Sequence, residues 1–320
     1  FLGVVFLLFF NVSGGPFGAE TVISNCGPLI GLCTLAAFGL LYSVPHALVV
    51  AELTSCFPSN GGYGVWAQMA FGSFVGIQQS YWAWIAGVVD LSLYPVLLYS
   101  SVELILTPSL EVSVPDLPSA NCWAGGVEPS GCWREYLIKL GLALAFTLPN
   151  VVSSRLAGRW LSAVGMLSLV PTIVFCLVAA PQMRWPNIAR PPPSAAGLTA
   201  FGRLLMVIWW NLSGFSVNKA SAIKGEVDTS HRMGGTVELM LDVVAIVAVY
   251  VLPLLFGAAV DADWAAWQPG SLTHVAMVVG GTWLGVWMSV SALLSTWGMY
   301  ASGLFCCSFQ LLGMAEVGIA

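Results

Sequence analysis

Charge is what this sequence has least of: 8% of its 320 residues are Asp, Glu, Lys or Arg, against roughly 25% in soluble domains. That scarcity excludes an ordinary soluble protein. The charges that exist sum to −5, are spread over loops and form no basic patch or arm, so a nucleic-acid partner has no electrostatic footprint. Catalytic signatures are lacking as well. His46, His231 and His274 are scattered, and there is no HExxH or CxxC pair and no G-x-S-x-G elbow. The sequence therefore offers no metal site, cofactor site or nucleophile-and-base constellation, and it reads as a non-enzyme. It has no nucleotide-binding loop either, which leaves an ion gradient rather than ATP as the energy source for any uphill work. The first residue is Phe1, with neither a charged n-region nor a small-residue cleavage site after it, so the expectation is a trimmed chain, a fragment, and not a signal peptide.

Apolar sequence is abundant. Runs of about 20 residues lie near 1–24, 28–57, 73–103, 136–153, 160–180, 201–217, 238–260 and 276–305, each long enough for a hydrocarbon core of roughly 30 Å. They predict eight transmembrane helices in an all-α integral membrane protein whose constant partner is the lipid bilayer. Six of the eight cysteines, Cys26, Cys33, Cys56, Cys176, Cys306 and Cys307, lie in or beside these runs and read as small buried hydrophobes. Cys122 and Cys132 differ, because they sit in the polar segment 104–135. Such a loop pair points to a disulfide on the oxidising side of the membrane, with a reduced pair as the alternative. Placing them outside puts Arg155, Arg159, Lys224 and Arg232 inside, while Arg134, Lys139, Arg184, Arg190 and Arg203 fall outside, so basic residues fix the orientation only weakly. The stretch "PQMRWPNIARPPPSAAG" at 181–197 is proline-rich and polar and predicts an extended connector. It divides the chain into a first unit of five helices (1–180), a connector (181–200) and a second unit of three (201–320).

Each unit contains the same short run deep in an apolar segment: "FNVSGGPF" at 10–17 and "WNLSGF" at 210–215. Both match the Asn-x-Ser/Thr acceptor pattern, but hydrocarbon burial rules out glycosylation. Chance matches in apolar sequence are one explanation. The other has a mechanism: transporters built from inverted repeats open each repeat with a broken helix whose free backbone groups face a midplane substrate site. Five helices precede the second run, as a five-plus-five repeat requires. Unpaired N–H and C=O groups cost several kcal/mol each in hydrocarbon unless they line a cavity or bind something, and Gly14, Gly15, Gly18 and Pro16 are residues that break a helix. Gly14, Gly15, Pro16, Phe17 and Gly18, with Asn211, Ser213, Gly214 and Phe215, are therefore candidate ligand-lining residues. A kinked but packed helix, with its glycines serving close helix contact, is the competing reading.

These residues, with "PHALVVAELTSCFPSNGGYGVW" at 45–66, "FVGIQQSYWAWIAGVVDLSLYPVL" at 74–97, "GEV" at 225–227 and "SFQLLGMAEVGIA" at 308–320, resemble the amino acid, polyamine and organocation transporters. Within that superfamily they are most similar to the polyamine uptake transporters of plants and trypanosomatid parasites. The resemblance implies a twelve-helix, LeuT-like inverted-repeat bundle with helices 1 and 6 discontinuous, of which this chain holds about eight. It departs in "SVNKASAIKGEV", where Asn218 and Lys219 replace an acidic residue the family carries, and a lysine near a cation site is unfavourable by Coulomb repulsion.

Glu20, Asp90 and Glu52 are the candidate carboxylates within predicted spans, where an ionised group costs at least about 2.5–3.5 kcal/mol on insertion scales. Glu20 follows the first break, and the resemblance implies that it binds a substrate amine or takes part in proton coupling; a hydrated outer-leaflet carboxylate is the alternative. Asp90 lies mid-span, and Trp82, Ala86, Asp90 and Tyr94 recur on one helical face that reads as a site wall, against a structural aspartate held by hydroxyls. Glu52, near its helix end, fits a structural contact at least as well as a ligand contact. Phe215 sits where the family places an aromatic that closes over substrate and can stack on a cation. Trp209, Trp210, Trp283, Trp287 and Trp297 read as core or interface residues. The whole reads as a proton-driven secondary transporter of polyamines or related organic cations, with the plasma membrane as first location and an organelle membrane as second. A cationic or neutral amino-acid exchanger and a transport-incompetent sensor or scaffold are the alternatives.

Overall fold

The computed structural model describes residues 2–57, 61–106, 129–191, 197–212, 234–316 and 318. Among them every regular element is helical: α1 Leu2–Val12, α2 Thr21–Cys26, α3 Pro28–Phe38, a π-helical segment Gly39–Ser43, α4 Val44–Cys56, α5 Gly62–Phe71 and α6 Ser73–Leu106. The order continues with α7 Pro129–Val152, α8 Ser154–Ala179, α9 Trp185–Ile188, α10 Leu198–Leu212, α11 Gly234–Val260, α12 Ser271–Gly280 and α13 Thr282–Glu316, with short 3₁₀ turns at Ala180–Gln182 and Trp264–Ala266. Six segments are long and apolar enough to cross a membrane: Pro28–Cys56, Ser73–Tyr99, Glu135–Val152, Leu156–Gln182, Val243–Val260 and Thr282–Glu316. The two other expected crossings are the ones predicted to be broken. The first is split into α1 and α2, and the second is described only as the 15-residue α10.

Helix α1 is seated among α8, α11 and α13, and its sequence explains the fit. Phe6 and Phe10 lie four residues apart on one face of α1, and Gly14 follows in the break beyond its end. A Cβ added to Gly165 would strike the Phe6 ring, one added to Gly298 would strike the Phe10 ring, and one added to Gly14 would strike the Met299 side chain. Large groups thus meet glycines at three successive turns, which lets the backbones approach closely without any hydrophobic drive between helices in lipid. Helix α13 carries most of the interhelical hydrogen bonds. Ser302 Oγ donates to the Leu7 carbonyl (2.8 Å), Asn150 Nδ2 to the Ala301 carbonyl (2.7 Å), Trp297 Nε1 to the Phe146 carbonyl (3.2 Å) and Ser291 Oγ to the Ser168 carbonyl (2.5 Å).

The structure corrects two expectations. The described first part of the connector is not extended, because residues 180–191 fold over the end of α11; residues 192–196 lie outside the described residues. The Arg184 N–H and Asn187 Nδ2 both donate to the Ala259 carbonyl at 3.0 Å, and Arg190 Nη1 donates to the Ala262 carbonyl at 3.1 Å. These carbonyls belong to a helix end that lacks intrahelical partners. Pro181 and Pro186 occupy first-turn positions of short helices, where a missing N–H costs nothing. The continuous site wall on α6 is the second correction: Trp82 is 61% exposed and Ala86 is exposed. The packed stripe runs instead through Ser80, Ala83, Leu91 and Leu98, and only Asp90 and Tyr94 of the proposed face lie half-buried at its margin. Lys139 shows how a cation is tolerated in α7: it is paired with Glu135 one turn away and lies over the Tyr99 ring, 5.2 Å from its centroid.

Candidate substrate site at the helix break

Between α1 and α2, residues 13–20 leave the helix. Gly15 and Gly18 adopt φ +89° and +87°, a region that side chains with a Cβ rarely enter, and Pro16 between them has no N–H to lose. The chain supplies partners for its own freed groups. The Ser13 N–H still reaches the Phe9 carbonyl (2.7 Å), ending the α1 ladder, and the Ser13 hydroxyl accepts the Gly15 N–H (3.0 Å). Glu20, fully buried, accepts the Gly18 N–H on Oε2 (2.6 Å) and the Gly270 N–H on Oε1 (3.0 Å). Gly270 immediately precedes α12, so this one carboxylate closes the break and ties it to the segment between α11 and α13.

At the other expected break, Asn211 and Leu212 end the described part of α10. The Leu212 carbonyl accepts the Ser43 hydroxyl from the π-helical segment (3.3 Å). Asn211 Oδ1 accepts the phenol of Tyr250 (3.0 Å), a fully buried residue of α11. Tyr250 rises from α11, which packs on α1. Tyr94 meets Tyr300, with ring centroids 6.4 Å apart. The structure therefore joins Tyr250 to Asn211, Ser13 to Gly15 and Tyr94 to Tyr300, and an added Cβ on Gly15 would touch Phe17 and Ser295. Glu20 sits toward the α12 side, and Glu52 is exposed on α4. Ser213, Gly214, Phe215, Lys219, Cys122 and the side chain of Cys132 lie outside the described residues.

Sequence reasoning missed Tyr250, Ser13 and Ser295. The one signal for Tyr250 is a lone hydroxyl in the aliphatic run "VVAIVAVYVLPLLF" at 243–256, since a buried Tyr hydroxyl needs a partner.

The charged residues of helices α1 to α6 have one sign. No lysine or arginine precedes Arg134, while Glu20, Glu52, Asp90 and Glu103 all lie in the first 106 residues. Helices α1 to α6 and the break between them hold acids alone.

The amino acid permease family model matches residues 2–320. The chain belongs to that family. Among curated relatives, a probable polyamine transporter of Arabidopsis thaliana is 34% identical over 326 residues, covering 99% of this chain and 62% of the relative. Polyamine transporter PUT1 of Oryza sativa subsp. japonica is 35% identical over 319 residues, and polyamine transporter RMV1 of Arabidopsis thaliana is 32% identical over 322 residues. Those matches cover 99% of this chain in both cases, and 55% and 60% of the relatives. The chain thus spans little more than half the length of these permeases. An all-α membrane bundle with a discontinuous first helix fits the LeuT-like fold of the family, and the crossings present fit a partial complement of its twelve helices.

Proposed function

We propose that this permease chain is the substrate-binding part of a proton-driven secondary transporter that takes up polyamines or related organic cations by alternating access. In this reading residues 1–180 form the first five-helix repeat, residues 201–320 begin the second, and substrate sits between Gly14–Gly18 and Asn211–Phe215. The observation that carries it is that the charged residues of helices α1 to α6, which include the break, are all acidic. Two break amides, those of Gly15 and Gly18, are already taken by Ser13 and Glu20, so the break offers less to a substrate carboxylate than an amino-acid exchanger would need. A polyamine has no carboxylate and is matched by acids. The relatives named as polyamine transporters support the same substrate class.

The test uses the full-length protein reconstituted in liposomes. An imposed inward proton gradient should drive uptake of labelled spermidine and putrescine, and collapse of the gradient should abolish it. Asp90→Asn keeps shape and removes charge, and it is expected to weaken spermidine binding by about 2–5 kcal/mol, roughly 30-fold or more. Equal affinity in folded variant and wild type for spermidine, putrescine and arginine would remove Asp90 from the site. Uptake of arginine alone would move the assignment to an amino-acid exchanger.

A further inference from the structure

The crossing Pro28–Cys56 runs through α3, the π-helical segment and α4, and a four-residue repeat sets its packed side: Gly31, Leu35, Gly39, Ser43, Ala47 and Ala51 are all buried. In a straight α-helix such a repeat drifts by about 40° at each step, so the packed side would wind off its neighbours within a few turns. The π turn at Gly39–Ser43 winds more slowly and takes back part of that drift. Its mark is the Val44 N–H, which donates to the Gly39 carbonyl five residues back, and Pro45 just after it has no N–H to offer the Leu41 carbonyl. This turn is wedged between two helices. A Cβ added to Gly39 would come within 2.7 Å of Val247 Cγ2 on α11. On the other side Phe38 and Tyr42 both meet the Trp209 ring of α10, with centroids 6.0 and 5.0 Å apart. Ser43 is fully buried, and its Oγ donates at 3.3 Å to the carbonyl of Leu212, the last residue of α10. That bond is long for a hydroxyl, so the rings hold the two helices together and the hydroxyl answers the carbonyl they bring to it.

We infer that Ser43 is a positioning residue: with Tyr42 beside it in the π turn, it grips the end of α10 and fixes where the second wall of the substrate site begins. A carbonyl in the last turn of a helix has no intrahelical donor, and in hydrocarbon it must find one elsewhere. Ser43 supplies that donor while taking little more room than an alanine. The gripped turn also carries Asn211, a candidate ligand-lining residue, so a displaced turn displaces that side chain too. Ser43 itself touches no substrate in this role and acts through the α10 backbone. The role in substrate binding rests on the reading of 211–215 as one wall of the site. The grip does not, because it consists of contacts within this chain.

The experiment compares Ser43→Ala and Tyr42→Leu with wild type in the full-length protein in nanodiscs. The first removes only the hydroxyl and the second only the ring contact. Backbone hydrogen exchange, read by mass spectrometry, should rise in Ser43→Ala over the peptides covering 205–212 by roughly 2- to 5-fold, the lower part of the range one net hydrogen bond supports, while 282–300 stays as in wild type. Tyr42→Leu should raise it in the same peptides. In liposomes the KM for spermidine should rise in Ser43→Ala by a similar factor with little change in the maximal rate. Unchanged exchange at 205–212 in both variants overturns the grip, and a rise in Tyr42→Leu alone overturns the part given to Ser43. Raised exchange with an unchanged KM overturns the positioning role. A wild type that takes up no polyamine overturns the substrate reading, and exchange alone then decides the grip. Should Ser43→Ala fail to fold, Ser43→Cys, which keeps a weaker donor, takes its place; it must raise exchange at 205–212, or the part given to Ser43 is wrong.

Discussion

Asn11 and Asn211 perform one local task at two places. Asn11 Nδ2 donates to the Leu7 carbonyl (2.9 Å) and Asn211 Nδ2 to the Val207 carbonyl (2.8 Å), each four residues back. Their amide oxygens then part ways. Asn211 Oδ1 takes the Tyr250 phenol, while Asn11 Oδ1 is buried without a hydrogen-bond partner among the described residues. Removing a satisfied group orphans its partner, whereas removing an unsatisfied one relieves a cost. Asn211→Leu is therefore expected to destabilise the protein by about 1–3 kcal/mol, and Asn11→Leu by less, because the loss of its Nδ2 bonds to the Leu7 carbonyl and Cys306 Sγ is offset by removal of the unpaired Oδ1. Thermal unfolding of both variants in detergent checks the difference, and an equal loss in both would mean that the two asparagines are held alike.

Contact between whole helices rests on the three glycine meetings along α1. Gly165→Ala forces the Phe6 ring aside in a close-packed interface, which costs about 1–3 kcal/mol, and Phe6→Leu should recover part of that loss. A double-mutant cycle in unfolding free energy, with coupling above roughly 0.5 kcal/mol for residues in contact, is the measurement; strict additivity would mean that α1 and α8 do not meet there. Elements were also the most legible part of the sequence. Hydrophobic run length found all six crossings among the described residues, and Gly-Gly-Pro marked the first break, because both signals are local. Other features needed tertiary partners. The connector looked loose because its acceptors, the carbonyls of Ala259 and Ala262, lie some seventy residues away in the chain. The α6 face was misphased because a four-residue repeat drifts from the 3.6-residue turn, and Gly87 and Leu91, which face α13, gave no polar cue. Asp90 and Glu20 stood out as rare charges in apolar sequence; Tyr250 did not, because tyrosine is ordinary in membrane helices.

The proposed orientation of the whole molecule gives one chemical test. With the 107–128 segment outside, Cys122 and Cys132 are expected to form a disulfide, visible as a mass difference between reduced and unreduced digests. After reduction both should react with a membrane-impermeant maleimide added to intact cells. Free thiols before reduction, or labelling only after lysis, would reverse the orientation.

Time adds a condition of its own to the Glu20 contact. The acceptor and its Gly270 donor are 250 residues apart, which at synthesis rates of roughly 5–20 residues per second separates their emergence by roughly 12–50 s. For that interval the first helix enters the bilayer with half of its carboxylate unmatched, and a carboxylate within the membrane disfavours insertion, by about 2.5–3.5 kcal/mol at a helix centre and by less at a break. The nascent first helix is therefore a poor membrane segment until the seventh has followed it. A reporter fused after residue 60 should show partial insertion that Glu20→Gln improves, the reverse of the damage the same substitution does once Gly270 is in place; equal insertion of both forms would mean that the carboxylate is matched from the start.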